Sequence, residues 1–222
     1  MKNIVAIVPV RKGSERVKNK NIRKFADTNL LTIKLNSLKK VQGVADIIVS
    51  SDCVEMLDIA KSHGVKTHMR ENYYASSQCT NSEFFENLAK VLCDYDNVMY
   101  SPVTCPLISV STYDTMIQDF QHCNNLVSAS LVKQHLWLDG SPLNYDIKNS
   151  PNTQNLPDIM KITYGVSLIE RSLMLQSKNI VSETPEFYVL DEKESVDIDT
   201  ELDFKFAEYL YKEQLSICES SD

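Results

Sequence analysis

The sequence predicts an α/β fold, a doubly wound and mostly parallel β-sheet with helices on both faces. Two observations carry this prediction. The segment Ile4–Val8 is uninterruptedly apolar, as expected of a strand covered on both faces, and strand-like runs then alternate with helical periodicity along most of the chain. Such alternation is typical of βαβ crossovers and parallel neighbours. Sheets of this type bind ligands beyond the carboxyl ends of their strands.

The remaining elements follow in order along the chain. Further strands are predicted at 46–50, 65–69, 98–100, 126–131 and 187–190, and helices at 30–40, 54–63, 82–93, 111–122 and 201–213. The pattern breaks in a segment rich in Asn, Pro, Ser and Asp, which we name the excursion and place at 133–165. We interpret it as covering the active site or reaching into a partner subunit. The length of the chain fits a single domain over 1–217.

Composition excludes several classes of protein. A net charge of -7 argues against general nucleic-acid binding, because an acidic surface repels a polyphosphate backbone. No apolar run approaches the roughly 20 residues of a membrane-spanning helix, and the N-terminus lacks the pattern of a signal peptide, so we expect a cytoplasmic protein. The six cysteines include no Cys-x-x-Cys pair, which indicates neither a zinc site nor a disulfide framework.

One local cluster of positive charge stands out against this acidic background. The segment from Arg11 to Asn21, which we name the basic loop, holds five basic side chains directly after the first strand. Gly13 allows close approach of the backbone, whose N–H groups can surround phosphate oxygens, Ser14 can donate a hydrogen bond, and Arg11 and Lys20 can neutralise a polyphosphate. The alternative is a solvated basic turn. The position at the carboxyl end of a buried strand favours phosphate binding.

The glycines restrict which kind of phosphate loop this is. The chain has five glycines, and neither G-x-G-x-x-G nor G-x-x-x-x-G-K-[ST] can be assembled from them, which disfavours a dinucleotide dehydrogenase and a P-loop ATPase. The pattern Val8-Pro9-x-Arg11-x-Gly13-Ser14-x-Arg16, followed by Lys20-Asn21, instead resembles the CMP-sugar synthetases, the acylneuraminate cytidylyltransferase family. Further matches follow in chain order at 47–52, Gly64-Val65 with Arg70, Thr104 to Leu107, His135 with Trp137, and 195–200.

The resemblance implies a Rossmann-like fold of the nucleotide-diphospho-sugar transferase type and a specific reaction. A hydroxyl of an acidic sugar, a sialic acid or another 3-deoxy-2-ulosonic acid, would attack the α-phosphate of CTP and release pyrophosphate. Arg11 and Lys20 would act on the triphosphate as catalytic residues. Gly13, Ser14 and Asn21 would contact the nucleotide, and Arg70 and Ser77 belong to the region that the family uses for cytosine and ribose. The family's usual assembly is a homodimer.

A pair of aspartates near the end of the chain suggests a metal site. Asp197 and Asp199 flank Ile198, so on an extended segment both carboxylates point to one side while the isoleucine points into the core. Mg²⁺ is usually held by one or two carboxylates plus phosphate oxygens, and Mn²⁺ is the alternative ion. The competing interpretation is that Asp199 caps a helix beginning at Thr200. Asp203 is expected to be a surface residue of that helix.

The acceptor site is the part least defined by the resemblance. Family members acting on sialic acid carry Gln at the position of Pro102, Asn at that of Tyr164, and Lys at that of Glu15. The candidates for binding an acidic acceptor lie in the excursion: Lys133, Gln134, His135, Trp137 and Lys161. Each has an alternative as a surface, core or interface residue.

Two other functions remain open at this point. The chain could transfer a nucleotide to a different acceptor, such as a phosphonate or a phosphorylated alcohol. It could also be a catalytically inactive relative that binds nucleotide.

Overall fold

The computed structural model describes residues 3–14 and 16–219. Glu15, where the basic loop departs from the family pattern, lies outside the described residues. The strands are β1 (Ile4–Pro9), β2 (Lys24–Phe25), β3 (Thr28–Asn29), β4 (Val44–Ser51), β5 (Lys66–Met69), β6 (Asn97–Tyr100), β7 (Asn125–Val132), β8 (Trp137–Leu138), β9 (Ser141–Pro142), β10 (Ile159–Glu170) and β11 (Glu186–Val189). The α-helices are α1 (Leu30–Leu38), α2 (Val54–Ser62), α3 (Asn81–Val91), α4 (Val110–Asp119), α5 (Arg171–Ser177) and α6 (Glu201–Glu219).

The main sheet has seven described strands in the order β11-β7-β10-β6-β1-β4-β5. β1 pairs in parallel with both β4 and β6, β5 is parallel to β4, and β11 is parallel to β7. Only β10 runs antiparallel to its two neighbours within this described sheet. The predicted mostly parallel α/β fold is therefore confirmed.

The central position of β1 follows from its composition. Every residue of Ile4–Val8 is fully buried. Because side chains alternate between the faces of a strand, Ala6 and Val8 join the core cluster beneath α1, α2, α4 and α6, whereas Val5 and Ile7 join the cluster beneath α3 and α5. The two clusters show that helices cover both faces, as predicted. This arrangement puts the residue after Pro9 at the middle of the sheet's edge.

One prediction about the excursion was wrong. Residues 159–165 do not belong to an irregular segment but form the first part of β10, a strand of 12 residues that the sequence did not predict. A register shift between Ile162 and Ser167 interrupts the pairing with β7, and the corresponding apolar alternation is interrupted in the sequence. We therefore keep the name excursion for 133–158, which contains the hairpin β8-β9 and two short 3-10 helices.

Several smaller differences concern helix ends and short elements. α5 was not predicted, because seven residues give little periodicity. α3 begins at Asn81, where Thr80 and Glu83 form a capping box, and α6 continues to Glu219 rather than ending at 213. Within residues 3–14 and 16–219 no helix has the length and apolarity that a membrane crossing requires.

A candidate nucleotide site at the carboxyl ends of the strands

A cleft of about 600 Å³ opens at the carboxyl ends of β1, β5 and β6. Its walls come from the basic loop, from the segment between β5 and α3, and from the loop after β6. The aspartate segment and β10 complete it. The lining residues that the sequence had predicted as functional are Arg11, Ser14, Lys20, Asn21, Arg70, Ser77 and Asp199. The cleft lies where the sheet topology places ligands in folds of this type.

Buried polar groups hold the start of the basic loop in place. The side-chain amide of Asn21, itself buried, donates to the carbonyl of Arg11 at 3.0 Å. The backbone N–H of Lys12 donates to Asp52 Oδ1 at 2.9 Å, which ties the loop to the end of β4. Arg11 donates from Nη1 to the carbonyl of Ala75 at 2.9 Å and so spans the cleft. Asn21 thus acts on the loop backbone, although it also lines the cleft.

Gly13 occupies the left-handed region of backbone space, with φ +83°. A glycine adopts this conformation without steric penalty, whereas other residues rarely do. Open space surrounds the position that a Cβ would take, so the backbone conformation rather than a close neighbour requires the glycine. Gly13 belongs to the basic loop but is not among the residues that line the cleft.

Arg70 is a nearly fully buried cation at the opposite wall. Its Nη2 donates to the carbonyl of Val10, and its guanidinium lies 5.1 Å from the ring centroid of Phe84. Its Nε is buried without a hydrogen-bond partner among the described residues. Burial lowers the pKa of Arg70, and the charge of Asp52 opposes this shift. A buried guanidinium with an unused donor is well suited to a polar or anionic ligand.

Lys20 connects the basic loop to the aspartate segment. Its ammonium group donates to the carbonyl of Ile198 at 2.5 Å. Burial lowers the pKa of Lys20, while the charges of Asp197 and Asp199 raise it. Ile198 is fully buried, as the pattern Asp-Ile-Asp predicted. The two carboxylates and this lysine therefore form one cluster at the edge of the cleft.

The two aspartates lie in different environments. Asp199 is half-exposed and pairs with Arg16 of the basic loop at 2.7 Å between Oδ1 and Nη2. Asp197 is more enclosed, and burial raises the pKa of its carboxyl group. The thiol of Cys105 donates to Asp197 Oδ1 at 3.7 Å, and burial raises the pKa of that thiol to about 12. Cys105 consequently acts as a neutral donor rather than as a thiolate.

The helix cap predicted as the alternative role of Asp199 belongs to other residues. Thr200 Oγ1 accepts from the backbone N–H of Asp203 at 3.2 Å, and Asp203 Oδ2 accepts from the backbone N–H groups of Asp199 and Thr200. Asp203 lies in the first turn of α6 and is partly exposed, as predicted, and it has the additional role of a capping residue. The carboxylate of Asp199 remains directed towards the basic loop.

The five predicted acceptor-binding residues do not line this cleft. Lys133 pairs with Asp158 and donates to the carbonyl of Leu156. His135 packs edge-on against Tyr145, and Trp137 Nε1 donates to the hydroxyl of Tyr145 at 2.8 Å. The backbone carbonyl of Gln134 accepts from Asn144, and Lys161 is exposed on β10. Their predicted role therefore has no support within a single subunit.

Sequence reasoning did not select several lining residues. Arg16 was part of the quoted motif, and its charge was the available signal. Thr104 was likewise part of a quoted match, whereas Tyr74 and Tyr100 gave no signal, because a single Tyr has no distinguishing pattern. Pro102 and Tyr164, the two described positions that depart from the family pattern, both line the cleft.

The fold and this cleft together define the class of protein. Four cationic side chains, those of Arg11, Arg16, Lys20 and Arg70, converge beyond the strands of an α/β sheet and face a pair of carboxylates. Such a site can bind a polyphosphate and place a divalent cation beside it. This is the arrangement of a nucleotidyltransferase.

Comparison with known proteins gives the family. Residues 5–144 match the family model described as Cytidylyltransferase, and the chain belongs to that family. It is 25% identical to "Post-translational flagellin modification protein B" of Campylobacter coli, over 96% of this chain and 97% of that protein. It is 22% identical to "CMP-N,N'-diacetyllegionaminic acid synthase" of Campylobacter jejuni, over 95% of each. A solved structure of CMP:2-keto-3-deoxy-manno-octonic acid synthetase complexed with CTP superposes with a TM-score of 0.71 at 14% identity, covering 96% of this chain and 99% of that one.

Proposed function

We propose that the protein activates an acidic sugar by transferring CMP from CTP to one of its hydroxyl groups, with release of pyrophosphate. The observation that carries this proposal is the cleft itself, which the basic loop, Arg70 and Asp199 line, with the charge of Asp197 acting on Lys20 at its edge. The sugar's oxygen forms a bond to the α-phosphorus, the bond to pyrophosphate breaks, and the hydroxyl proton passes to solvent. Alignment and charge stabilisation supply the rate, because the protein forms no covalent bond with the substrate.

The order of strands supports a division of the cleft among the parts of the proposed reaction. Arg70 and Ser77 follow β5 on one side of β1, and this side takes the nucleoside. The basic loop follows β1 in the middle and takes the triphosphate, with Arg11 and Lys20 nearest the phosphates. The loop after β6 and the bulge of β10 lie on the other side and remain for the acceptor. An in-line displacement at the α-phosphorus requires the acceptor and the leaving pyrophosphate on opposite sides.

Mg²⁺ is the proposed cofactor, held by Asp197 and Asp199, with Mn²⁺ as the alternative. The oxygen donors fit a hard cation, and Asp199 already holds a cation, the guanidinium of Arg16, at 2.7 Å. Mg²⁺ usually takes its remaining ligands from phosphate oxygens and water, which CTP and solvent would supply. When bound, the ion would offset charge on the α-phosphate and on pyrophosphate.

Pyrophosphate release tests the proposed reaction. The protein is incubated with Mg²⁺, each nucleoside triphosphate in turn, and a panel of acceptors: sugar acids, a phosphonate and a phosphorylated alcohol. We expect pyrophosphate only with CTP and a sugar acid. Turnover with a phosphorylated alcohol instead would assign a different acceptor. A rise in melting temperature with CTP and no turnover with any acceptor would indicate an inactive nucleotide-binding relative.

We also propose that the protein is a cytoplasmic homodimer joined through the excursion. Four large apolar side chains of the excursion are more than half exposed: Trp137, Leu138, Leu143 and Ile147. Exposed apolar groups concentrated on one segment favour an interface. A second subunit would cover them and would bring the predicted acceptor-binding residues near another copy's cleft.

Light scattering after size exclusion tests this assembly. Leu138→Glu places a charge in the proposed interface and should convert a dimer into a monomer. Leu202→Glu, at an apolar residue of α6 that is 76% exposed, is the matched control and should leave the dimer intact. A wild-type monomer, or a dimer unaffected by Leu138→Glu, would remove the excursion as the interface. Cell fractionation tests the location.

A further inference from the structure

Tyr164 has a backbone conformation that its residue type disfavours. It lies in the left-handed region with φ +55°, a region that residues other than Gly, Asn and Asp seldom adopt. Its side chain is 46% exposed. Among the described residues none makes a hydrogen bond with its hydroxyl group. Neither burial nor a polar contact of its own side chain therefore explains why tyrosine occupies this position.

The surrounding sheet imposes this conformation. β10 pairs with β7 at Ile162 and again at Ser167, and the residues between them bulge opposite Ser128. The hydroxyl of Ser128 accepts from the backbone N–H of Val166 at 2.9 Å and contacts the hydroxyl of Thr163 at 2.7 Å. A bulge of this kind redirects a side chain out of the regular alternation of a strand.

Gly165 lets the bulge approach the loop after β6 closely. A Cβ at Gly165 would lie 2.8 Å from Cδ1 of Ile108 and 3.2 Å from Sγ of Cys105, so these side chains would have to shift to admit a larger residue. The bulge is thus packed directly against the residue that contacts Asp197. Bulges and disfavoured backbone conformations concentrate at ligand sites, where the rest of the structure maintains them.

The bulge places Tyr164 in the wall of the cleft on the side away from Arg70. Pro102 and Val103 belong to the same wall, and all three line the cleft. None of these three side chains carries a charge, and two are purely apolar. The cations of the cleft come instead from the basic loop and from Arg70. This wall therefore suits the apolar part of a ligand rather than its phosphates.

We propose that Tyr164, together with Pro102, selects acceptors that present an N-acyl group and disfavours sugar acids that carry hydroxyl groups in its place. This proposal rests on the proposed cytidylyl transfer. An aromatic ring packs well against a methyl group or a C–H face, whereas a sugar hydroxyl placed there would lose its hydrogen bonds to water. Tyr164 is a specificity-determining residue in this proposal, and it takes no part in the bond-making step.

Steady-state kinetics with two acids test the proposal. N,N'-diacetyllegionaminic acid carries acyl groups, and 2-keto-3-deoxy-manno-octonic acid carries none. We expect the wild-type protein to favour the acylated acid in kcat/KM. Tyr164→Gly removes the ring and suits the left-handed backbone, so the fold should be kept. Its preference for the acylated acid should fall about tenfold through a higher KM for that acid, while KM for CTP stays within about twofold. Tyr164→Phe keeps the ring and should retain the wild-type preference.

Each result separates this proposal from the reaction on which it rests. Wild-type turnover with neither acid would remove the proposed function and this proposal with it. Wild-type turnover with an unchanged preference in Tyr164→Gly would overturn only the role of Tyr164. A matching rise in KM for CTP would place the ring at the nucleotide and would also overturn the proposal.

Discussion

Two asparagines fix two loops of this protein, and their surroundings differ. Asn21 is buried and donates to the carbonyl of Arg11 within the basic loop. Asn144 is half-buried in the excursion, where it accepts from the backbone N–H of Leu136 and donates to the carbonyl of Gln134, both at 2.9 Å. The basic loop is tied to β4, β5 and the aspartate segment, whereas the hydrogen bonds of Asn144 remain inside the excursion.

This difference indicates that the basic loop and the excursion are held in different ways. A buried backbone carbonyl must find a partner, so the hydrogen bond of Asn21 specifies one loop conformation. The excursion presents exposed backbone and apolar side chains, and its conformation depends less on the core. We therefore expect changes around the basic loop to act on the nucleotide, and changes in the excursion to act on the acceptor and on assembly.

The largest expected effect comes from Asp199→Asn. An amide is a poorer ligand than a carboxylate for a hard cation, so kcat should fall by about 100-fold or more. Stability should change by less than about 1 kcal/mol, because the ion pair with Arg16 is exposed. Pyrophosphate release measures kcat, and urea unfolding measures stability.

Glu201→Gln is the matched control for this prediction. It removes one negative charge two residues away, from a side chain that pairs with Arg23 rather than facing the cleft. Its kcat should remain near that of the wild type. Full activity of Asp199→Asn would remove the aspartate pair from the metal site.

The next-largest effect is expected at Asn21, and the same substitution at Asn144 provides a direct comparison. Asn21→Ala removes a buried side chain and its hydrogen bond to the partly buried carbonyl of Arg11, so it should destabilise the fold by about 1–3 kcal/mol. Release of the loop should also raise KM for CTP about tenfold. Asn144→Ala should cost less than about 1 kcal/mol, because water replaces its exposed hydrogen bonds, and KM for CTP should not change.

Urea unfolding and CTP kinetics on both variants decide this comparison. Equal effects on KM for CTP would mean that the excursion also shapes the nucleotide site. The proposed division between the two loops would then be wrong.

The parts of the molecule that could be predicted from the sequence are those whose signal is local. The apolar run of β1, the charge of the basic loop and the buried Ile198 between two aspartates each follow from a few consecutive residues. Asp203 also gave a local signal, since Thr200-x-x-Asp203 has the spacing of a capping box. The pairing of Arg16 with Asp199 could not be predicted, because 183 residues separate them. The bulge of β10 depends on contacts with Ser128 and Ile108, which are distant in the sequence and therefore leave no local pattern.

Gly165→Ala tests how tightly that bulge packs against Ile108 and Cys105. The new Cβ would meet Ile108 at 2.8 Å and Cys105 at 3.2 Å, so one of them must move. Overpacking of this kind costs about 1–3 kcal/mol. Ile108→Val, which removes the Cδ1 atom that the new Cβ would meet, provides the control: Gly165→Ala should cost less in that background than in the wild type. Thermal unfolding of the single and double variants measures both losses, and equal losses would contradict close packing.

The smallest effect concerns the helix cap that follows the aspartate pair. Hydrogen bonds from Thr200 lower the pKa of Asp203, so its carboxylate stabilises the fold above the unfolded pKa of about 3.9, and this contribution is lost as pH falls through the lower folded pKa. Asp203→Asn keeps an acceptor oxygen without the charge and should be about 1 kcal/mol less stable than the wild type at pH 7. Urea unfolding over a pH series should show the two proteins converging below about pH 4. A constant difference in stability at every pH would mean that the charge of Asp203 does not stabilise the helix cap.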